Sequence, residues 1–408
     1  MTTPDRAIII GGGVGGLSTA VALQRAGMEA TIFERAPKLI DVGCVQLWTN
    51  GMVALAQLDL ADEALSRGWA MHMQEFRSWR GKVLIQAPVG ELAEQHGTLP
   101  PVNIRRLDLI ELVYEALEPG VVQFESAVTG FEQDESGVTV HLADGREERG
   151  SILIAADGTD SATRKTLVGG PPPRYAGAQV MRALIPFEHP TIPPGKFSLT
   201  FGKGDRFGMI HTSRDVLCWF TIIITPPGST DPPGGRKSEL YARFGDFPEP
   251  TKAVIDATPE ETIYRADIRD ILPLDRWGEG RVTLLGDAAH ATTPYLGRGA
   301  GEAVEDAITL ASNLASVGSL GDREAVSALR AYEAKRMPPT KKTQVTAWRF
   351  GQIAKWKNPV LFAVRERMMG TVGRRAVHKA IHAEFGELGK ITARTDRQAE
   401  AIRSQEPA

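Results

Sequence analysis

The sequence predicts an α/β fold: a Rossmann-like dinucleotide-binding domain, a β-rich domain interleaved within it, and a helical C-terminal segment. Three observations lead there. Residues 7–10 are a short apolar run that ends in the glycine-rich stretch 11–16 ahead of a helical pattern. Two later apolar runs, 152–155 and 281–285, each lead to a turn carrying an acid beside a glycine, Asp157-Gly158 and Gly286-Asp287. Between them, 171–270 is rich in strand formers, prolines and aromatic residues.

The elements follow in order. Residues 7–10 read as a buried strand and 17–26 as a helix ended by Gly27; 30–33 resume strand character and deliver Glu34. From 120 to 150 apolar and polar residues alternate, as in Val138, Val140 and Leu142, and Ala143-Asp144-Gly145 marks a hairpin turn. The Pro171-Pro172-Pro173 run opens the β-rich block, which holds Trp219, Phe220 and 222–224 and a surface loop at 226–235. Strand character returns at 281–285 and a long helix is expected over about 301–314. Beyond Arg323 the chain is helical in character, with interruptions expected at Pro338-Pro339 and Pro359 and a frayed last dozen residues ending Gln405-Glu406-Pro407-Ala408. The domain reading is 1–170 and 271–330 for the dinucleotide domain, 171–270 for the β-rich domain and 331–408 for the helical segment.

Composition narrows the function classes. A chain of 408 residues with 42% hydrophobic and 24% charged side chains folds around sizeable cores and is neither disordered nor a disulfide-stapled miniature. Forty-seven Lys and Arg against 50 Asp and Glu leave a net charge of −3, so no global field draws in nucleic acid. Cys44 and Cys218 are far apart and match no metal or redox spacing; a reduced, cytoplasmic protein is expected and a disulfide disfavoured. The apolar run at 7–10 is too short for a signal peptide or a membrane span.

Gly11, Gly13 and Gly16 form a GxGxxG between strand and helix. The first allows the tight turn, the second a close backbone approach to a pyrophosphate, the third close helix–strand packing, while the free N–H groups of the helix N-terminus face the phosphates. Glu34 stands where a carboxylate accepts hydrogen bonds from an adenosine ribose. This fingerprint does not separate NAD from FAD. The two later acid–glycine corners do: the second continues through Ala288-Ala289-His290 and Thr293-Pro294 to Gly297-Arg298-Gly299-Ala300-Gly301, an acid for a sugar or ribityl hydroxyl followed by a glycine-opened helix whose N–H groups suit a reduced flavin.

With these three motifs in order from residue 11 to residue 306, the chain resembles the class A flavoprotein monooxygenases, the para-hydroxybenzoate hydroxylase family. The Phe201-Gly202 to Phe207-Gly208 region and Thr292-Thr293-Pro294 look most like the urate hydroxylase, zeaxanthin epoxidase and salicylate hydroxylase branches. The resemblance implies FAD as cofactor and NADPH or NADH as a transient co-substrate docking at Asp157-Gly158. It implies that Asp287 holds the ribityl chain, that Pro294 lies near the isoalloxazine, that Arg106 contacts the cofactor with Arg105 as a competing assignment, and that residues 43–50 flank the flavin. The cofactor candidates are therefore Gly11, Gly13, Val14, Gly16, Glu34, Arg35, Arg106, Val128, Asp157, Asp287, Pro294, Gly297, Gly299, Ala300 and Gly301.

Departures from the family pattern also count. Arg298 replaces the usual glutamine and Gly301 the usual asparagine; a surface pairing of Arg298 with Glu302 is preferred over an effect on flavin potential. Tyr295 stands where urate hydroxylases resemble one another in having an acid, which argues against urate. The resemblance and strand alternation name Leu47, Met181, Met209, His211, Cys218, Phe220 and Tyr295 as one substrate wall. No convincing catalytic base appears; His211, Tyr295 and Pro294 are the candidates, with His211 preferred as a half-exposed strand histidine and His290 as structural. Neither cysteine looks like an activated thiolate. The basic stretch 330–379, with Trp348, Phe350, Trp356 and Phe362, has a composition suited to a membrane surface, but a helical cover with its aromatics packed inward is preferred.

The expected function is an NAD(P)H- and O2-consuming, FAD-dependent monooxygenase that hydroxylates an aromatic or other apolar small molecule through the family's flavin C4a-hydroperoxide. Epoxidation of an isoprenoid or polyketide alkene is the alternative within the class. Outside it stand an NAD-dependent dehydrogenase, which leaves Gly286-Asp287 unexplained, and a non-catalytic flavin redox sensor. The expected partners are the small-molecule substrate and O2, with no nucleic acid and no stable membrane insertion, in a monomer or homodimer.

Overall fold

A computed structural model of the chain describes residues 4–40, 43–356 and 358–403. The chain packs as two compact units. One comprises Met1–Val42, Arg106–Arg174 and Arg269–Trp348; the other comprises Gly43–Arg105, Tyr175–Ile268 and Arg349–Ala408.

The first unit is built on a six-stranded sheet in the order Gly278–Glu279, Val282–Leu284, Ile152–Ala155, Arg6–Ile10, Glu29–Phe33, Val122–Gln123. Its central strands run parallel, with Ile8 opposite both Leu153 and Thr31. A parallel sheet is covered on both faces, and the unbroken apolar runs meet that demand: Ile8, Ile9, Leu153, Ile154, Val282 and Leu284 are all fully buried. Helix Val14–Arg25 packs against helix Gly299–Leu314. A separate antiparallel sheet of Val128–Gln133, Val138–Leu142 and Glu147–Gly150 carries the expected turn, where Gly145 takes a φ of 89° and Asp144 accepts the Arg146 N–H at 3.0 Å.

The second unit has a seven-stranded sheet in the order Tyr264–Asp270, Arg174–Pro186, Val216–Ile223, Arg206–His211, Lys196–Phe201, Met73–Ser78, Val83–Ala87, and a three-stranded sheet of Cys44–Leu47, Val102–Arg105 and Trp69–Ala70. Alternation divides the large sheet's side chains between two cores. Phe197, Leu199, Phe201, Ile210 and Cys218 pack with Ile381 and Phe385 of the C-terminal helix on one side. Met181, Ala183, Phe207, Met209, Leu217 and Trp219 pack with Leu240, Phe244, Val254 and Ile255 on the other.

Four expectations are corrected. Residues 43–105 belong with the β-rich unit, not with the dinucleotide unit, because their strands pair within its sheets: Met73–Ser78 lies beside Lys196–Phe201, with Leu199 opposite Phe76. The C-terminal division falls at 348/349, not at 330/331. Helix Arg323–Ala354 runs straight through Pro338 and Pro339. Those prolines deprive the carbonyls of Ala334 and Lys335 of their donors, but both residues are exposed to water, while Tyr332, Glu333, Arg336, Thr340 and Gln344 are buried and hold the helix on either side. The break comes instead before Pro359, where the Asn358 Oδ1 accepts the N–H groups of Val360 and Leu361 at 2.9 and 3.3 Å. Finally, Cys44 and Cys218 are joined in a disulfide within the β-rich unit. A separation of 174 residues hides the pairing from sequence spacing, but the fold brings the two chain positions to a Cα distance of 6.5 Å. Helix Arg374–Arg403 extends into the last dozen residues, where fraying was expected, and 404–408 lie outside the described residues.

Candidate cofactor site

Strand Arg6–Ile10 ends at Gly11, whose φ of 103° and contact with the Ala156 carbonyl leave no room for a side chain; an added Cβ would lie 2.5 Å from that oxygen. Gly13 is the N-cap of helix Val14–Arg25 and has open space around it. No side chain caps this helix and no acid occupies its first turn, so its N–H groups and positive dipole end are available to an anion. Val14 and Gly16 lie in that first turn, where both are buried.

A cleft of about 440 Å³ opens above this turn and brings together Gly11, Gly13, Glu34, Arg35, Val128 and Asp157 of the expected cofactor set. Glu34 accepts the Gly12 N–H at 2.6 Å and the Ala36 N–H at 2.7 Å, which fixes the carboxylate at the strand end. Asp157 spends one oxygen on the Thr163 N–H at 3.1 Å, while its buried Oδ1 meets no protein donor. Ser126, Thr129, Phe131, Thr163 and Arg269 also line the cleft and were missed in the sequence. Arg269, held by Asp160 at 2.8 and 2.7 Å, comes from 109 residues away, and no local pattern marks it.

A second cluster joins the two acid–glycine corners. Arg164 donates to the Ala288 carbonyl at 3.0 Å and the Thr159 carbonyl at 2.7 Å, while its own N–H is capped by Ser161 at 2.8 Å. Asp287 opens the short helix Asp287–His290 after Gly286, whose φ is 61°. Crowding by surrounding protein pushes the Asp287 carboxyl above its ordinary range, against the pull of His290, Arg106 and Arg164 and a hydrogen bond from Thr159. Arg106, at the start of helix Arg106–Glu115, belongs to this unit; Arg105 ends a strand of the other. Pro294 is exposed in the turn Pro294–Leu296, Tyr295 is half-buried, and Gly297 has a φ of 65° before Gly299, Ala300 and Gly301 open helix Gly299–Leu314. None of these lines the 440 Å³ cleft.

Three further readings change. The Arg298 Nε lies 3.4 Å from Glu302, but not at the surface: Glu302 is buried and also holds Arg336 at 2.6 Å and Thr343 at 2.8 Å. His211 is fully buried instead of half-exposed; its Nε2 is bonded to the Ile192 carbonyl at 3.0 Å, and burial pushes the imidazole below its ordinary range. The expected single substrate wall divides. Met181 and Met209, with His211 in step, point to the side covered by helices Gly235–Phe244 and Thr251–Ala257, whereas Cys218 and Phe220 point to the opposite side. Strand register is the cause: Met181 pairs with Thr221, so its odd-numbered neighbours and the even-numbered Cys218 and Phe220 face apart. Leu47 is fully buried at the end of strand Cys44–Leu47.

The uncapped helix N-terminus, the open approach at Gly13 and the unpartnered Asp157 oxygen match what a dinucleotide demands of its site. A family model described as FAD binding domain matches residues 5–347. Aurachin C monooxygenase/isomerase of Stigmatella aurantiaca is 35% identical over 370 residues, covering 90% of this chain and 94% of that protein. FAD-dependent urate hydroxylase of Klebsiella pneumoniae is 34% identical over 335 residues, covering 81% and 85%. The chain belongs to the class A FAD-dependent monooxygenases. The monooxygenase fold extends over nearly the whole chain: the solved structure of Klebsiella pneumoniae HpxO with FAD and uric acid superposes with a TM-score of 0.85 at 29% identity, covering 95% of this chain and 97% of that one. This monooxygenase uses FAD as cofactor, and NAD(P)H is the typical co-substrate of its family. Among the described residues no helix is long and apolar enough to cross a membrane.

Proposed function

We propose that this monooxygenase hydroxylates a flat, electron-rich and largely apolar aromatic or heteroaromatic ring. What supports the reading is the flat ring held by a structural relative, uric acid in the HpxO structure, together with the partly buried Phe220, which lies 6.4 Å from Phe197 at an interplanar angle of 12°. A flat aromatic face favours a flat aromatic ligand through offset stacking and apolar burial. Uric acid, the ligand in the HpxO structure, is a flat ring system of this kind, and Tyr295 here argues for a less polar relative of it.

Bound FAD supplies the chemistry that takes electrons from NAD(P)H and delivers one oxygen atom of O2 to the substrate. The chain's own residues bind and orient. The N–H groups at Gly13 and Val14 take the pyrophosphate, Glu34 the adenosine ribose, Asp157 Oδ1 a donor hydroxyl of the dinucleotide, and Asp287 with Arg106 the sugar-like chain near the ring. The N–H groups of Gly299, Ala300 and Gly301 at the start of their helix stabilise negative charge on the ring system. His211 faces the other side of the sheet from Phe220, with its Nε2 bonded to the Ile192 carbonyl at 3.0 Å.

The test is NAD(P)H oxidation by the purified yellow protein in the presence of phenols, hydroxyquinolines and polyenes. Stimulation by a ring compound, with a product heavier by one oxygen atom, is expected. Stimulation by polyenes alone, with an epoxide product, would overturn the reading in favour of epoxidation.

A further inference from the structure

Helix Pro359–Met368 and the π turn Met369–Gly373 that continues it present an apolar stripe to water. Val360 is 70% exposed, Leu361 44%, Val364 43%, Met368 56% and Val372 70%. Val360, Val364, Met368 and Val372 recur every fourth residue, a spacing that drifts around an α-helix. The wider π turn takes up the drift and keeps Val372 over Met368. The opposite side of the helix is pinned inward: Phe362 is buried, and the buried Arg365 donates to the carbonyls of Ala354 at 2.6 Å and Gly202 at 2.8 Å. The stripe is therefore held outward by the fold, and a monomer gains nothing from it.

The charge beside it has one sign. Arg367, Arg374, Arg375 and Lys379 are all exposed on the same segment, and its one acid, Glu366, faces Arg365, Arg80 and Lys82. Next to the stripe, Arg374, Arg375 and His378 with Val83, Leu84 and Gln86 line a basic pocket of about 480 Å³. The His378 Nε2 bond to the Gln86 carbonyl, at 2.8 Å, ties the helix to the edge strand Val83–Ala87. The chain's net charge is −3, so this basic surface is local and not a reflection of overall composition.

We infer that this face docks on an anionic lipid bilayer, lying in the interface without crossing it. Val360, Val364, Met368 and Val372 enter the acyl boundary, and the Arg374–Arg375–His378 pocket receives a lipid phosphate. Charge complementarity decides the occupant: a second copy of the chain would set these cations against themselves, whereas an anionic headgroup layer neutralises them. The inference does not depend on the identity of the substrate.

The experiment is co-sedimentation of the full-length flavin-loaded protein with vesicles of phosphatidylcholine alone or mixed equally with phosphatidylglycerol. Binding to the mixed vesicles is expected to exceed binding to neutral ones by about tenfold and to fall in high salt. Val364→Asp/Met368→Asp is expected to abolish it and Arg374→Glu/Arg375→Glu to weaken it, both with unchanged flavin content and far-ultraviolet circular dichroism. Equal sedimentation of wild type and both variants, or none with either vesicle, overturns the inference. So does a wild-type dimer that Val364→Asp/Met368→Asp splits while vesicle binding is absent, which assigns the stripe to a second copy.

Discussion

The Nε2 of His290 lies 2.5 Å from Oδ2 of Asp306, and both side chains are buried. Asp306 also accepts the Gly286 N–H at 3.0 Å and the Arg336 Nε at 2.6 Å, so one carboxylate ties the Gly286-Asp287 corner to two helices. Burial alone would depress the imidazole, but Asp306 outweighs it and holds His290 above its ordinary range. Burial alone would raise the carboxyl, but His290 and Arg336 hold Asp306 below its own.

These directions predict the pH dependence of stability. The contribution of His290 is complete below its ordinary value of 6.5 and is lost as pH rises through its raised value. That of Asp306 is complete above 3.8 and is lost as pH falls through its lowered value. Unfolding free energy from urea titrations should be greatest between these limits and decline on both sides. Asp306→Asn leaves Arg336 and His290 short of a buried partner and is expected to cost about 3–5 kcal/mol, with a flatter alkaline limb. An unchanged urea midpoint would remove the pair from the stabilising core.

Gly11 and Gly13 should separate folding from cofactor binding. Gly11→Ala forces a Cβ to 2.5 Å from the Ala156 carbonyl and strains a φ of 103°, so the apoprotein itself should lose stability. Gly13→Ala meets no atom within 4 Å and should leave the apoprotein within about 1 kcal/mol of wild type while obstructing the pyrophosphate. Flavin absorbance per protein, set beside the denaturant midpoint, checks both. A Gly13→Ala protein that retains full flavin would show that the cofactor does not approach there.

Asp287→Ala should weaken FAD retention by about tenfold, the equivalent of one lost hydrogen bond to a charged group. Desalting at low protein concentration followed by a visible spectrum reads the loss. Asp287→Asn, which keeps size and one acceptor, should retain more flavin than Asp287→Ala; equal retention by both and by wild type would remove Asp287 from the site.

The Cys44–Cys218 bond joins two positions of one unit that lie 174 residues apart in the chain, with residues 106–174 of the intervening chain belonging to the other unit. Under non-reducing conditions the unfolded protein should show no free thiol, and reduction should lower stability by about 2–4 kcal/mol. Two titratable thiols in protein never exposed to reductant would contradict the pairing.

What could be read from the sequence divides along a physical line. The strands at 7–10, 152–155 and 282–284 were legible because a sheet covered on both faces needs continuous apolar runs. The cleft residues Gly11, Gly13, Glu34 and Asp157 were legible because their chemistry depends on a turn only a few residues long. Pro338-Pro339 misled because a helix-breaking rule is local, whereas the packing of Tyr332 and Gln344 that holds the helix is not. Alternation separates odd from even positions along a strand, but the register that sets Met181 against Thr221 is written in no single strand, so the divided substrate wall was invisible. Arg269 and Asp160 meet across 109 residues for the same reason.

The backbone crosses between its two units at 42/43, 105/106, 174/175, 268/269 and 348/349. During synthesis this order matters, because strand Arg6–Ile10 leaves the ribosome long before its neighbour Ile152–Ala155, and Val282–Leu284 follows later still. Neither unit can close on a nascent chain until most of the message has been translated. Arrested fragments ending anywhere before residue 348 should therefore remain sensitive to protease and bound to chaperones, with protection of the first unit arriving before that of the second, which still lacks residues 349 onward.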